Sequence, residues 1–112
     1  MEVKSVAKNT GISPRKMRAV VDLVRGKSVE EALTILKFSS SPHARVVAKV
    51  IKTAVADAET VHNLSAANLK VVRICSDEAM TLKRFRARSR HRVSPILKRS
   101  SHITVVIGEQ EA

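Results

Sequence analysis

Apolar residues recur along this chain at two different periods, and the change of period divides it. Met17, Val20, Val21 and Val24 follow one another at helical spacing. Ser13-Pro14 precedes them. A serine oxygen suits an N-cap and proline fits the first helical position, so the spacing predicts a helix from Pro14, with Gly26 as its C-cap candidate. Ser28-Val29-Glu30-Glu31 is a capping box, with Ser28 at the N-cap and Glu31 three residues on. Val29, Ala32, Leu33 and Leu36 then form the buried stripe of a second helix. Ser39-Ser40-Ser41-Pro42 ends that helix and begins a third, the longest, with Val47, Val50, Ile51, Ala54, Val55 and Ala58 on one face. Arg45, Lys49, Lys52, Asp57 and Glu59 are left for its wet side. The helix is expected to end near His62-Asn63, and residues 63–68 read as a loop.

Elsewhere the period is two. Residues 2–8, with Val3 and Val6, read as a short edge strand broken by Asn9-Thr10-Gly11. Residues 69–76 and 102–107 are rich in β-branched side chains, and Ile103, Val105 and Ile107 alternate with His102, Thr104 and Val106. Two strands flanking a long charged segment predict one hairpin whose arms extend beyond the sheet, with its turn near Arg90-His91. Each arm of about eight or nine residues, at ~3.3 Å per residue, reaches roughly 25–30 Å. The expected fold is therefore α+β: helices packed on a small antiparallel sheet, in one domain spanning residues 1–112, with an extended basic hairpin over residues 80–100.

Charge explains why that hairpin stands apart. Residues 83–99 hold Lys83, Arg84, Arg86, Arg88, Arg90, Arg92, Lys98 and Arg99, eight of the 21 basic residues, and no Asp or Glu occurs from Ala79 to Gly108. This density of like charge repels itself and is relieved by a polyanion. The segment supplies most of the formal net charge of +11. It also carries Phe85, Val93, Ile96 and Leu97, which a solvated tail usually lacks. A second basic group, Arg15, Lys16, Arg18, Arg25 and Lys27, lies on the polar face of the first helix and in the turn after it. Arg15-Lys16 would sit where the helix dipole disfavours cations, and a phosphate held there would offset that.

Composition narrows the partners. With 2% aromatic residues and no Trp or Tyr, the core must be aliphatic, and base-stacking platforms of the usual single-strand readers are missing. Binding should lean on phosphate contacts, shape and Arg stacking. Cys75 is single and lies in an apolar run, and His43, His62, His91 and His102 are scattered, so no metal site, cofactor or catalytic group is expected. No run approaches the ~20 apolar residues that span a bilayer. Met1-Glu2-Val3-Lys4 lacks an apolar signal core, so a cytoplasmic protein without a membrane partner is expected.

Two motifs carry a family likeness. Ser13-Pro14-Arg15-Lys16-Met17-Arg18, followed by Val20-Val21-Asp22-Leu23-Val24-Arg25-Gly26-Lys27, resembles the first helix of the L-twenty-two family of large-subunit ribosomal proteins. Asp77-Glu78, Leu82-Lys83-Arg84 and Lys98-Arg99-Ser100-Ser101-His102-Ile103-Thr104-Val105-Val106 resemble its hairpin and closing strand. The resemblance implies three helices on a three-stranded antiparallel sheet with a long β-hairpin, and a structural role with no catalysis. It implies large-subunit ribosomal RNA, neighbouring ribosomal proteins and the nascent peptide as partners, within the cytoplasmic ribosome. Both basic groups would bind rRNA and support assembly, while Arg88, Ser89, Arg90, His91 and Arg92 would form a tip lining the peptide exit tunnel. The chain departs from many bacterial members in having Ala79-Met80 instead of Gly-Pro after the acidic pair, and His91 where a tip Gly is usual. The alternative from the residues alone is a DNA-binding protein, since the first two helices and their short turn could mimic a helix-turn-helix.

Overall fold

The computed structural model describes residues 2–87 and 89–109. Three helices lie against one face of a three-stranded antiparallel sheet, and a second, two-stranded antiparallel sheet follows in the chain. The order is β1 (Glu2–Ala7), α1 (Pro14–Val24), α2 (Val29–Lys37), α3 (Ala44–Val61), β2 (Leu69–Glu78), β3 (Leu82–Ala87), β4 (Val93–Lys98) and β5 (Ser101–Glu109). β5 is central, paired with β1 from Glu2↔Gly108 to Ala7↔Ile103 and with β2 from Leu69↔Glu109 to Glu78↔Ser101. α1 packs on β2 and α3 on β1 and β5, while α2 rests against α3 and α1.

The caps fall where the local chemistry places them. Ser13 Oγ accepts from the Lys16 N–H at 3.4 Å, with Pro14 at the first helical position. Ser28 Oγ accepts from the Glu31 N–H at 3.3 Å. α1 ends at Val24 with Arg25 as its C-cap, and Gly26 follows at φ +78°, the left-handed residue that terminates a helix. An added Cβ there would meet nothing within 4 Å, so the demand for glycine is conformational. α3 starts later than expected. Residues 39–43 are used in turns, with Ser39 Oγ and Ser41 Oγ accepting from the Ser41 and His43 N–H groups, and the helix opens at Ala44 without a side-chain cap.

The core is aliphatic. Met17, Val21, Val24, Val47, Ile51, Val71, Ile103, Val105 and Ile107 are fully buried. On β2 the strict alternation breaks. Leu69 and Val71 point inward, and so do Ile74 and Ser76, an odd number of residues later. A register shift between Val71 and Arg73 absorbs the extra residue. The bulge keeps the apolar positions on the core and turns Arg73 outward, where its charge stays solvated. Asp77 and Glu78 complete β2 and are exposed.

The molecule measures 66 × 27 × 17 Å with a radius of gyration of 17.2 Å. A compact chain of this length would have a radius of gyration near ~13 Å.

Candidate nucleic-acid interface

The five basic residues of the first helix and its turn divide by what they touch. Arg15 and Lys16, in the first turn of α1, are exposed and have no acidic neighbour in that turn. Arg18 donates its Nε to the Ser76 carbonyl at 3.3 Å. Arg25 donates one guanidinium nitrogen to the Ile74 carbonyl at 3.0 Å and the other to Asp22 Oδ1 at 2.7 Å, the one ion pair among the described residues. β2 is an outer strand, so these carbonyls have no strand partner on that side. Two arginines seven residues apart on one helix face supply the donors instead. Lys27 is exposed, while its carbonyl accepts from the Val71 N–H at 2.8 Å and fixes the α1–α2 turn to β2. Composition cannot separate the arginines tied to the fold from the cations left to solvent; the geometry does.

The segment from Lys83 to Arg99 forms a paired ribbon. β3 and β4 run antiparallel with Leu82↔Lys98, Lys83↔Leu97, Arg84↔Ile96, Phe85↔Pro95, Arg86↔Ser94 and Ala87↔Val93 in register. Opposed residues share a face, and successive residues alternate. One face therefore carries Arg84, Arg86 and Lys98 with Leu82, Ser94 and Ile96. The other carries Phe85, Ala87, Val93, Pro95 and Leu97, with Lys83 at its base. Every β3 side chain is exposed, and Phe85 is 72% accessible. An apolar face of this kind, uncovered in the chain itself, is invisible in a count of charges. The pairing register was the missing information. Pro95 fits because each strand of a two-stranded ribbon has a free edge and one missing N–H breaks nothing there.

The tip closes over Ser89–His91 in a short 3-10 turn, with the Arg92 N–H donated to the Ser89 carbonyl at 3.4 Å. The turn expected near Arg90-His91 is present. The left-handed residue is Arg90, at φ 60° and ψ 40°, so the turn does without a tip glycine by straining Arg90. Arg88 lies outside the described residues. Arg90, Arg92 and Arg99 are exposed.

The two basic groups meet at the root of the ribbon. The loop after β1 is strapped to the start of β5. The Asn9 N–H donates to His102 Nδ1 at 3.1 Å, the Thr10 and Ser101 hydroxyls lie 2.8 Å apart, and the Gly11 N–H donates to Ser100 Oγ at 3.0 Å. Where β2 gives way to β3, the Ala79 N–H donates to the Ser100 carbonyl at 3.1 Å. A hollow of about 270 Å³ there is lined by Pro14, Glu78, Lys83, Leu97 and Arg99. The N-terminus of α1, with Arg15 next in sequence, thus borders Lys83 and Arg99.

The alternative DNA-binding use of the helices meets an electrostatic obstacle. A recognition helix presents its first turn to the groove, and the first turn of α2 holds Glu30 and Glu31, both exposed. Among the described residues, no three of His, Cys, Asp and Glu converge as metal ligands, and no helix is long and apolar enough to cross a membrane.

Comparison with known proteins agrees with this architecture. Residues 5–108 match the family model described as "Ribosomal protein L22p/L17e". The chain is 58% identical over 109 residues to a protein of Dehalococcoides mccartyi named "Large ribosomal subunit protein uL22", covering 97% of this chain and 100% of the relative. Proteins of the same name from Lactobacillus delbrueckii subsp. bulgaricus and Thermoanaerobacter sp. are 50% and 46% identical over 106 and 111 residues, covering 95% and 99% of this chain and 91% and 100% of the relatives.

Proposed function

Because the chain belongs to the ribosomal protein L22p/L17e family, a family of structural ribosomal constituents and not of enzymes, we propose that it binds the RNA of the large subunit through two joined basic surfaces. One is the α1 start with Arg15 and Lys16, aided by Arg18, Arg25 and Lys27. The other is the β3–β4 ribbon with Lys83, Arg84, Arg86, Arg88, Arg90, Arg92, Lys98 and Arg99. The helices and the three-stranded sheet form an anchoring body, and the ribbon is an arm that enters the RNA. Its tip, Arg88 to Arg92, lines the path of the nascent peptide. Binding several RNA segments at once, beside neighbouring ribosomal proteins, supports assembly of the subunit.

The observation that carries this reading is the ribbon's two-sided exposure. A two-stranded ribbon with an uncovered apolar face and an acid-free basic face is marginal in water by itself. Threaded between RNA strands, it neutralises phosphates with one face and covers the other. Arginine suits both duties, since its planar guanidinium forks to phosphate and stacks on bases.

The test is incorporation of a chain lacking residues 88–92 into large subunits, followed by a density map of the tunnel. The core residues Val50, Ile51, Val105 and Ile107 lie outside the deletion. The shortened protein should enter the particle and leave the tunnel wall altered. Failure to enter would overturn the separation of body from tip, and an unchanged wall would mean that the tip lies elsewhere.

A further inference from the structure

α2 and α3 meet in a groove that belongs to neither basic group described above. It encloses about 930 Å³ and is lined by Lys37, Arg45, Lys49 and Lys52 together with the serines of the α2–α3 turn. No acidic residue among the described residues lines it. All four cations are exposed, and none takes part in an ion pair among the described residues. Arg45, Lys49 and Lys52 are spaced four and three residues apart, so they share one face of α3 and span roughly 10 Å along its axis. Lys37 faces them from the end of α2.

The acids of this region are segregated from the groove. Glu30 and Glu31 lie on the other flank of α2, where they line a separate hollow with Lys27 and Ile35. Asp57 and Glu59 lie further along α3 and do not line the groove. Exposed cations normally intersperse with acids, which relieve their mutual repulsion. Here four cations converge on a concave surface without that relief. The N-terminus of α3 opens on the same side with no side-chain cap from His43. Phe38, next in sequence to Lys37, is 78% exposed, and Lys37 Nζ sits 5.7 Å from its ring centroid. Next to a cationic groove, an exposed aromatic face is suited to a base.

We propose that the α2–α3 groove is a third RNA-backbone site. It takes the phosphates of an rRNA segment other than those met by α1 and the ribbon, with Phe38 stacking on a base of that segment. The proposal rests on the rRNA-binding reading above. It adds that the body is held from a second side, through residues that read in the sequence as an ordinary wet helix face.

The test compares three full-length proteins, the wild type, a groove variant (K37Q, R45Q, K49Q, K52Q) and a ribbon variant (R84Q, R86Q), on large-subunit rRNA. Affinity is measured across salt concentrations and backbone protection is mapped by hydroxyl-radical cleavage. Circular dichroism confirms the fold of each variant. Each phosphate contact contributes roughly 0.7–0.9 to the slope of log K against log salt, so the groove variant, with four cations removed, should lose about 3–3.5 from the wild-type slope. It should also lose protection over a stretch of RNA that the ribbon variant still protects. Phe38→Leu should weaken binding roughly fivefold or more with the slope unchanged.

Failure of the wild type to bind rRNA would remove the underlying reading and this one with it. Wild-type binding, with an unchanged slope and footprint in the groove variant, would overturn the groove site alone. A groove variant that binds RNA normally yet does not enter subunits would also overturn it, by assigning the groove to a protein neighbour.

Discussion

Replacing Phe85 with alanine separates the ribbon's role in RNA binding from its role in the fold. Phe85 is 72% accessible, so of the ~200 Å² a phenylalanine can bury, about 145 Å² remains uncovered in the free protein. Covering that area in RNA is worth at most ~3.6 kcal/mol at ~25 cal/mol per Å². Base–aromatic stacking is worth about 1–3 kcal/mol by alanine substitution, so the two routes agree in scale. Affinity for the large-subunit rRNA should fall about five- to hundredfold in filter binding at fixed salt, with the slope against salt unchanged, because no charge is removed. The area already covered is ~55 Å², worth no more than about 1.4 kcal/mol and confined to the ribbon. The melting temperature of the body should therefore hardly move. Ile51→Ala is the opposite control. Ile51 is fully buried under the sheet, and its truncation should cost ~2–5 kcal/mol and lower the melting temperature by roughly 10 °C or more. If Phe85→Ala leaves RNA affinity intact, the apolar face does not meet RNA. If it lowers the melting temperature as far as Ile51→Ala does, the ring packs on the body.

The α1 cations should separate in the same two assays. Arg15→Ala with Lys16→Ala should flatten the salt slope by about 1.5–2 with stability unchanged. Arg18→Ala, which frees the Ser76 carbonyl, should cost about 1 kcal/mol in denaturant unfolding. An unchanged slope in the double variant would exclude phosphate contact at the α1 start. At the tip, Arg90→Gly removes a left-handed strain of about 1 kcal/mol and should slow exchange of the Arg92 amide severalfold, while faster exchange would mean the Arg90 side chain holds the turn.

Much of this architecture was legible in the sequence because it is written in local chemistry. Ser13-Pro14 and Ser28 with Glu31 announce helix starts, since the cap needs an oxygen within three residues of a free N–H. The alternation through Ile103, Val105 and Ile107 announces a strand with one buried face, and the acid-free run from Lys83 to Arg99 announces a polyanion partner. Such signals survive in one dimension because their cause spans only a few residues. The start of α3 was misplaced because three serines before Pro42 resemble a cap, whereas the chain spends them on turns.

What the tertiary structure alone decided depends on which distant residues are brought together. The bulge at Val71–Arg73 appears only when β2 is set against β5. That Arg18 and Arg25 serve the carbonyls of Ser76 and Ile74 follows from docking α1 on an outer strand, at sequence separations of 58 and 49 residues. The ribbon's apolar face exists only in one register, since a slip by one residue would move Val93, Pro95 and Leu97 away from Phe85 and beside Arg84 and Arg86. The groove that gathers Lys37 with Arg45, Lys49 and Lys52 exists only because α2 folds back on α3. The sequence by itself determined the kinds of element, their order and the sign of the partner's charge, because these depend on residue type and local spacing. Which cations brace the fold and which face solvent was decided by packing, because that depends on distance in space.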